Sequence, residues 1–365
     1  MLYNIQISRG IAALLVLVCH VNLLVNPALF DGVLLIGWSG LHFFFVLSGF
    51  IIFQAHFHQI GDPSSFWSYV YKRIRRIYPI YWVYTLLVLA AGLVAWVFLS
   101  KNLITWTGHV PWAIIQSLTL WPTDMSAGNM PVIPVAWTLT YEMLFYLLFG
   151  IALLVRPWIS LMVVGVWLIA IVSSLAGLIP AGPPMQIVAT NPMNLEFLLG
   201  CLAGYLAKTS GRRWGRPAAL GLASSGLVLL SLAWFNAHVD YSVFGKFESL
   251  QFGIPFFLIV LGLALLESGQ VASLGLIRRA AVYLGDASYS IYLTHFVVIV
   301  ALIPMVKPSS EKGTVLDFLL VTLVSTTAGC LGYSLIEKPL LKWMPRRWPF
   351  RPGHGIPQPH APGAR

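Results

Sequence analysis

Charge is what this sequence has least of. Only 9% of its 365 residues are charged, against 58% hydrophobic residues and a mean hydropathy of +0.81. A soluble chain carries roughly 25% charged residues, so this one cannot cover a water-facing surface and much of it must face lipid. Cysteine is scarce as well. Cys19, Cys201 and Cys330 all fall in apolar segments, which argues against a disulfide framework, and no CxxC-like spacing marks a metal site. No small-residue cleavage site follows the first apolar segment, so it reads as a retained span rather than a removable signal peptide. No internal repeat is visible, which weakens an inverted-repeat transporter reading. GxSxG is absent too, so there is no sign of a nucleophile elbow.

Aromatic residues are abundant, with 14 Trp, 14 Tyr and 21 Phe, as suits interfacial belts around a packed bundle. A crossing helix needs about 20 mostly apolar residues. Ten segments read as spans: 7–26, 33–53, 78–100, 137–155, 157–178, 192–207, 216–235, 249–267, 281–302 and 316–336. The predicted fold class is therefore all-α, a polytopic transmembrane helical bundle over residues 1–344. A basic, Pro/Gly-rich tail over 345–365 reads as disordered. The segment Val110–Trp121 is too short to cross and reads as re-entrant or interfacial. With the N-terminus in the cytoplasm, 18 of the 22 Lys and Arg residues fall on that side, so the positive-inside rule predicts both termini cytoplasmic. The net charge of +10 then orients the chain in the membrane, and no nucleic-acid partner is implied.

Ionisable groups inside spans are costly and are functional candidates by default. "RGIAALLVLVCH" places Arg9 and His20 on one helix face, about 16 Å apart along the axis. By the same topology His20, His42, Glu142, Glu196 with Asn194, and His295 lie at similar depth on five helices. Taken singly, each reads as a helix-to-helix hydrogen bond, and His20 as a histidine bonded to a backbone carbonyl. Taken together, they predict a shared polar chamber, in which a carboxylate orients a histidine general base. Cys19 points about 100° away from His20 and reads as core. On the cytoplasmic side "YKRIRRIYP" gathers Lys72, Arg73, Arg75 and Arg76. Topology alone explains such a cluster, and so does an anion site, since guanidinium forks suit phosphates. Arg9 faces the same side. An anionic ligand held there would need a long slim arm to reach His20, and acyl coenzyme A has that form.

The segments "RGIAALLVLVCH", "HFFFVLSGFII", "KRIRRIYPIYW", "WTLTYEMLFY", "LGDASYSIYLTH" and "IEKP" resemble, in order, the integral-membrane acyltransferase-3 family, most closely its stand-alone exopolysaccharide and O-antigen O-acetyltransferases. The resemblance implies acetyl coenzyme A or another acyl coenzyme A as co-substrate, no permanently bound cofactor, a glycan or lipid-linked sugar as acceptor, and a bacterial inner membrane. It also implies roles for Arg9, His20, Arg73, Arg76 and Glu142. The residues then sort as follows. His20 is the base, and Glu142 orients it or holds the acceptor. Arg9, Lys72, Arg73, Arg75, Arg76 and Ser48 serve the donor. His42, Trp137, Tyr141, Asn194, Glu196, Tyr289, Tyr292 and His295 line the chamber. Trp137 also reads as an interface-belt residue, and Ser48–Gly49 as a close helix contact. Glu337 and Lys338 read as an anchor at the end of the last span. A proton-coupled exporter of a glycan precursor, or a structural subunit of a polysaccharide synthase, would carry a similar chamber.

Overall fold

The computed structural model describes residues 2–99, 110–180, 182–209, 214–239, 247–267, 275–306 and 313–345. Beyond Pro345 the tail predicted to be disordered lies outside them. The described residues form helices and no strand. In chain order they are α1 (Tyr3–Val25), α2 (Gly40–His56), α3 (Phe66–Leu99), α4 (Val110–Thr119), α5 (Trp137–Leu154), α6 (Pro157–Leu175), α7 (Pro184–Thr190), α8 (Asn194–Thr209), α9 (Arg216–Val239), α10 (Glu248–Leu266), α11 (Leu276–Val306), α12 (Val315–Gly332) and α13 (Lys338–Trp343).

Among the described residues, nine helical segments are long and apolar enough to cross a membrane. The remaining predicted span, the sixth in chain order, is α8, whose 16 residues measure about 24 Å. Pro192 stops it from merging with α7, because the residue before a proline is driven out of the helical region. Asn194 then ties the two helices together, its amide donating to the carbonyls of Val188 at 2.7 Å and Asn191 at 3.0 Å.

Three differences from the sequence reading bear on the site. α3 starts at Phe66, so the basic run is itself helical, as Lys and Arg are good helix formers. The span predicted from residue 33 begins as tight 3-10 turns over Leu29–Ser39, with left-handed φ at Phe30, Asp31 and Gly32, before α2 starts at Gly40. The Val110–Trp121 segment is α4, ten residues long. Its last carbonyls are bonded by α3 side chains: Tyr81 to Ser117 at 2.7 Å, Trp82 to Leu118 at 2.8 Å and Tyr78 to Thr119 at 3.0 Å. Those donors satisfy a helix end that would otherwise leave bare carbonyls in an apolar setting.

Two close approaches set the register of the bundle. A Cβ on Gly49 would lie 2.0 Å from the Phe197 carbonyl oxygen, and one on Gly200 1.9 Å from that of Val46. The α2 and α8 backbones therefore touch, as small residues permit in membrane helices. Likewise a Cβ on Gly285 would lie 1.9 Å from the Gln6 carbonyl oxygen, which seats α1 along α11. This brings Arg9 level with Asp286, and His20 level with His295. On the outside of the bundle, α6 exposes Leu161, Val166 and Ile169, and α12 exposes Leu316 and Leu323, the apolar faces a lipid-facing helix presents. The α12 helix ends in a π-turn over Tyr333–Glu337 that leads into α13.

Candidate active site

A cavity of about 480 Å³ opens between α1, α2, α3, α5 and α11. Arg9, Lys72, Arg73, Arg75 and Arg76 line its basic end, and Thr138, Glu142, Tyr146, Tyr289 and Tyr292 line the interior. A neighbouring cavity of about 430 Å³ shares Arg9, Arg75 and Arg76 and adds Gln6, Asp286, Glu337, Lys338 and Lys342.

The four guanidinium groups have different surroundings. Arg76 Nη1 lies 3.2 Å from Glu337 Oε1, and its guanidinium sits 5.5 Å from the Tyr289 ring centre. Glu337 is fully buried. Its other oxygen accepts from Ser290 Oγ at 2.7 Å, and Ser290 accepts from Tyr84 Oη at 3.0 Å. Arg75 donates to the carbonyls of Leu341 and Met344 at the end of α13, so it anchors that helix. Arg73 rests over the rings of Tyr146 at 5.6 Å and Tyr69 at 5.9 Å, and its buried Nε has no partner among the described residues. Arg9 donates to Gln6 Oε1 at 3.1 Å, and Gln6 donates to Asp286 at 2.6 Å. Among the described residues, neither Arg9 nor Arg73 pairs directly with a carboxylate, so both leave positive charge facing the cavity.

Glu142 accepts from Ser48 Oγ at 3.2 Å and from Tyr146 Oη. Tyr146 is one helical turn further along α5, on the same face. Glu142 therefore braces the ring beneath Arg73. The Tyr289 hydroxyl donates to the Ile77 carbonyl at 3.1 Å. Tyr292 closes the interior: its hydroxyl lies 2.7 Å from Thr138 Oγ1 and donates to the Val135 carbonyl at 3.0 Å.

His20 lies beyond that closure. Tyr292 lines the cavity and its ring centre is 5.8 Å from that of His295, whose Nε2 is 3.4 Å from His20 Nδ1. Hydrogen bonding fixes where the lone pairs are. His20 Nδ1 faces the Val16 carbonyl at 2.8 Å and His295 Nδ1 faces that of Ile291 at 3.0 Å. A carbonyl only accepts, so in both rings Nδ1 carries the hydrogen, and a neutral ring keeps its lone pair on Nε2. His295 directs that lone pair at His20. The Nε2 of His20 meets no partner among the described residues. Trp38 at 6.2 Å and Phe296 at 5.4 Å, ring centre to ring centre, wall the site.

The single five-helix chamber expected from depth is divided here. Among the described residues no carboxylate touches His20; Val16 and His295 orient it, and Glu142 is held by Ser48 and Tyr146 instead. His42 and Glu196 form a separate cluster between α2, α8 and α10. His42 Nδ1 is 2.6 Å from Glu196 Oε1, its Nε2 is 3.4 Å from Glu248 Oε1, and Phe252 stacks on the ring at 5.1 Å. Asn194 serves the α7–α8 junction. Tyr141 packs between Phe45 and Trp137. Sequence reasoning missed Tyr146, Thr138, Ser290 and Glu248, and weighed Glu337 only as an anchor. The four-residue spacing from Glu142 to Tyr146 was a readable signal. Nothing in the sequence marks the π-turn that turns Glu337 inward.

A bundle of crossing helices around a cation-lined cavity, with a histidine pair just past its closed end, has the layout of a membrane-embedded transferase. Sequence comparison agrees with that class. Residues 2–334 match the acyltransferase domain family, so the chain belongs to the acyltransferase-3 family that its motifs resemble and is an integral-membrane acyltransferase. The exopolysaccharide production protein ExoZ of Rhizobium meliloti (strain 1021) is 33% identical over 316 residues, covering 84% of this chain and 90% of the relative. The acyltransferase MdmB of Streptomyces mycarofaciens is 27% identical, covering 93% of this chain and 92% of the relative. No solved structure matches the chain.

Proposed function

We propose that this enzyme transfers an acyl group, acetyl in the first instance, from acyl coenzyme A to a sugar hydroxyl of a surface polysaccharide or its lipid-linked precursor. One observation carries the reading. The cavity has unpaired guanidinium charge from Arg9 and Arg73 at one end and Tyr292 at the other, and His20 lies about 16 Å along α1 from Arg9 on the same face. That span suits a donor with phosphates at one end and a thioester at the tip. The basic end then faces the cytoplasm of a bacterium, across its inner membrane, and the acceptor approaches from the opposite side. The relative named for exopolysaccharide production supports a glycan acceptor.

In this mechanism Arg9, Arg73 and Arg76 bind the donor phosphates, with Lys72 at the rim. Tyr292 is the last side chain the thioester meets before His20, and its hydroxyl, on turning from the Val135 carbonyl, donates to the carbonyl oxygen as negative charge develops there. His20 Nε2 takes the proton from the acceptor hydroxyl as its oxygen attacks the carbonyl carbon. The carbon–sulfur bond breaks, the new ester forms, and the proton ends on the departing thiol. His295, with its lone pair toward His20 Nδ1–H, steadies the imidazolium in between.

The test is transfer by purified protein in lipid nanodiscs, with radiolabelled acetyl coenzyme A and a deacetylated exopolysaccharide. Label in the polysaccharide is the expected result. Failure to bind coenzyme A or to transfer acetyl, together with proton-linked solute flux in vesicles, would replace this reading with an exporter.

A further inference from the structure

The 3-10 segment before α2 carries an aromatic residue that the acyl-transfer steps leave unused. Gly37 presses against α1, where a Cβ would lie 2.2 Å from the Leu15 carbonyl oxygen. This fixes the next residue, Trp38, beside His20. The Trp38 ring stacks on Trp137 of α5 at 6.0 Å and 19° between planes, and Trp137 meets Tyr141 edge-on at 5.7 Å. Both indoles are only partly buried. Trp82, Trp167 and Trp234 each donate an indole N–H to a protein oxygen at 2.7–3.0 Å. Among the described residues, neither Trp38 nor Trp137 donates to any.

We infer that Trp38 and Trp137 form the acceptor subsite, a platform for the apolar C–H face of a pyranose ring with free indole N–H groups for its hydroxyls. This rests on the acyl-transfer reading and names its acceptor class: a ring sugar with an equatorial hydroxyl pattern that leaves one face apolar. Indoles suit that role because they offer a large flat apolar surface with one polar handle. Ring stacking here also presents a sugar hydroxyl to His20, whose ring lies 6.2 Å from Trp38. The contact discriminates a pyranose from an open-chain polyol with the same hydroxyls.

The experiment compares methyl β-D-glucopyranoside with sorbitol as acceptors, using protein in nanodiscs free of sugar-headed detergent. Trp38→Ala is expected to raise the KM for the glucoside about tenfold, the loss of roughly one good ring contact. The KM for acetyl coenzyme A stays as in the native enzyme and doubles as the folding control. Sorbitol is a poor acceptor throughout and is unaffected. If Trp38→Ala also loses the donor, Trp38→Phe with Trp137→Phe carries the same test by removing both N–H groups while keeping rings. Saturation-transfer NMR reads binding without turnover: glucoside ring hydrogens take up saturation from the native protein and not from Trp38→Ala. Equal KM changes for both acceptors, no change for either, or no saturation of a glucoside that is nevertheless acetylated would each overturn the subsite. A native protein that binds the glucoside but transfers no acetyl overturns the transfer reading and leaves the subsite standing.

Discussion

Two buried histidine sites in this bundle are built in opposite ways. His42 has a carboxylate oxygen against each ring nitrogen, from Glu196 at 2.6 Å and Glu248 at 3.4 Å. Both nitrogens therefore act as donors, and the ring has no lone pair to offer. His20 has no carboxylate near it among the described residues. One nitrogen is fixed on its own helix by Val16, and the other is free. The first site is an ionic pin joining α2, α8 and α10. The second keeps a basic nitrogen available. A histidine beside a carboxylate is often read as an activated base, yet here the unpaired histidine is the one with the geometry for proton transfer.

Substitutions can break that contrast. His20→Ala should lower acyl transfer about a hundredfold or more, the usual worth of a general base, with coenzyme A affinity retained. Acetyl transfer and equilibrium binding measured side by side test this, and joint loss of both would place His20 in the donor site. His42→Ala should do the reverse. It strands Glu196 in the core, and removing one partner of a buried ion pair costs about 3–5 kcal/mol. Thermal unfolding in nanodiscs should show a large drop in midpoint, while folded enzyme turns over near the native rate. A His42→Ala protein that is stable but inactive would erase the distinction between the two sites.

Smaller effects sharpen it. Arg73→Ala removes a guanidinium with no carboxylate to strand, so donor affinity should fall about tenfold, in line with about 1.5–3 kcal/mol for a charged hydrogen bond. The loss should shrink at high salt, as screening weakens the native contact. Arg75→Ala should leave donor affinity close to native, because that guanidinium is bonded to the Leu341 and Met344 carbonyls; the visible change should be faster hydrogen exchange in α13. Donor titrations of the two variants at two salt concentrations give the comparison directly.

The long spans were legible because hydropathy and length are one-dimensional properties, and so was the shared face of Arg9 and His20, since eleven residues bring a helix back to within about 20° of its starting direction. Which helices neighbour one another was not legible, and that divided the predicted chamber. His42 and Ser48 show why. Six residues apart on α2, they point about 120° away from each other, so Ser48 meets Glu142 on α5 while His42 meets Glu196 on α8. They also lie about 9 Å apart along the helix axis, so the two carboxylates they meet do not share one site. The differing tasks of Arg73, Arg75 and Arg76 were equally hidden, because they depend on where the far end of the chain folds back.

The π-turn at Tyr333–Glu337 gives that returning segment an unusual sensitivity. It holds one residue more than an α-helical turn would, and each residue of a helix turns its successor by about 100°. Glu337 thus faces Ser290 and Arg76 because of a single surplus residue. Deleting one residue from 334–336 removes no side chain that lines either cavity, yet it would swing this carboxylate away and unhook Arg76 from its counter-ion. The basic end of the cavity is in this sense encoded as a length, and a gap of one in the chain there would matter more than most substitutions.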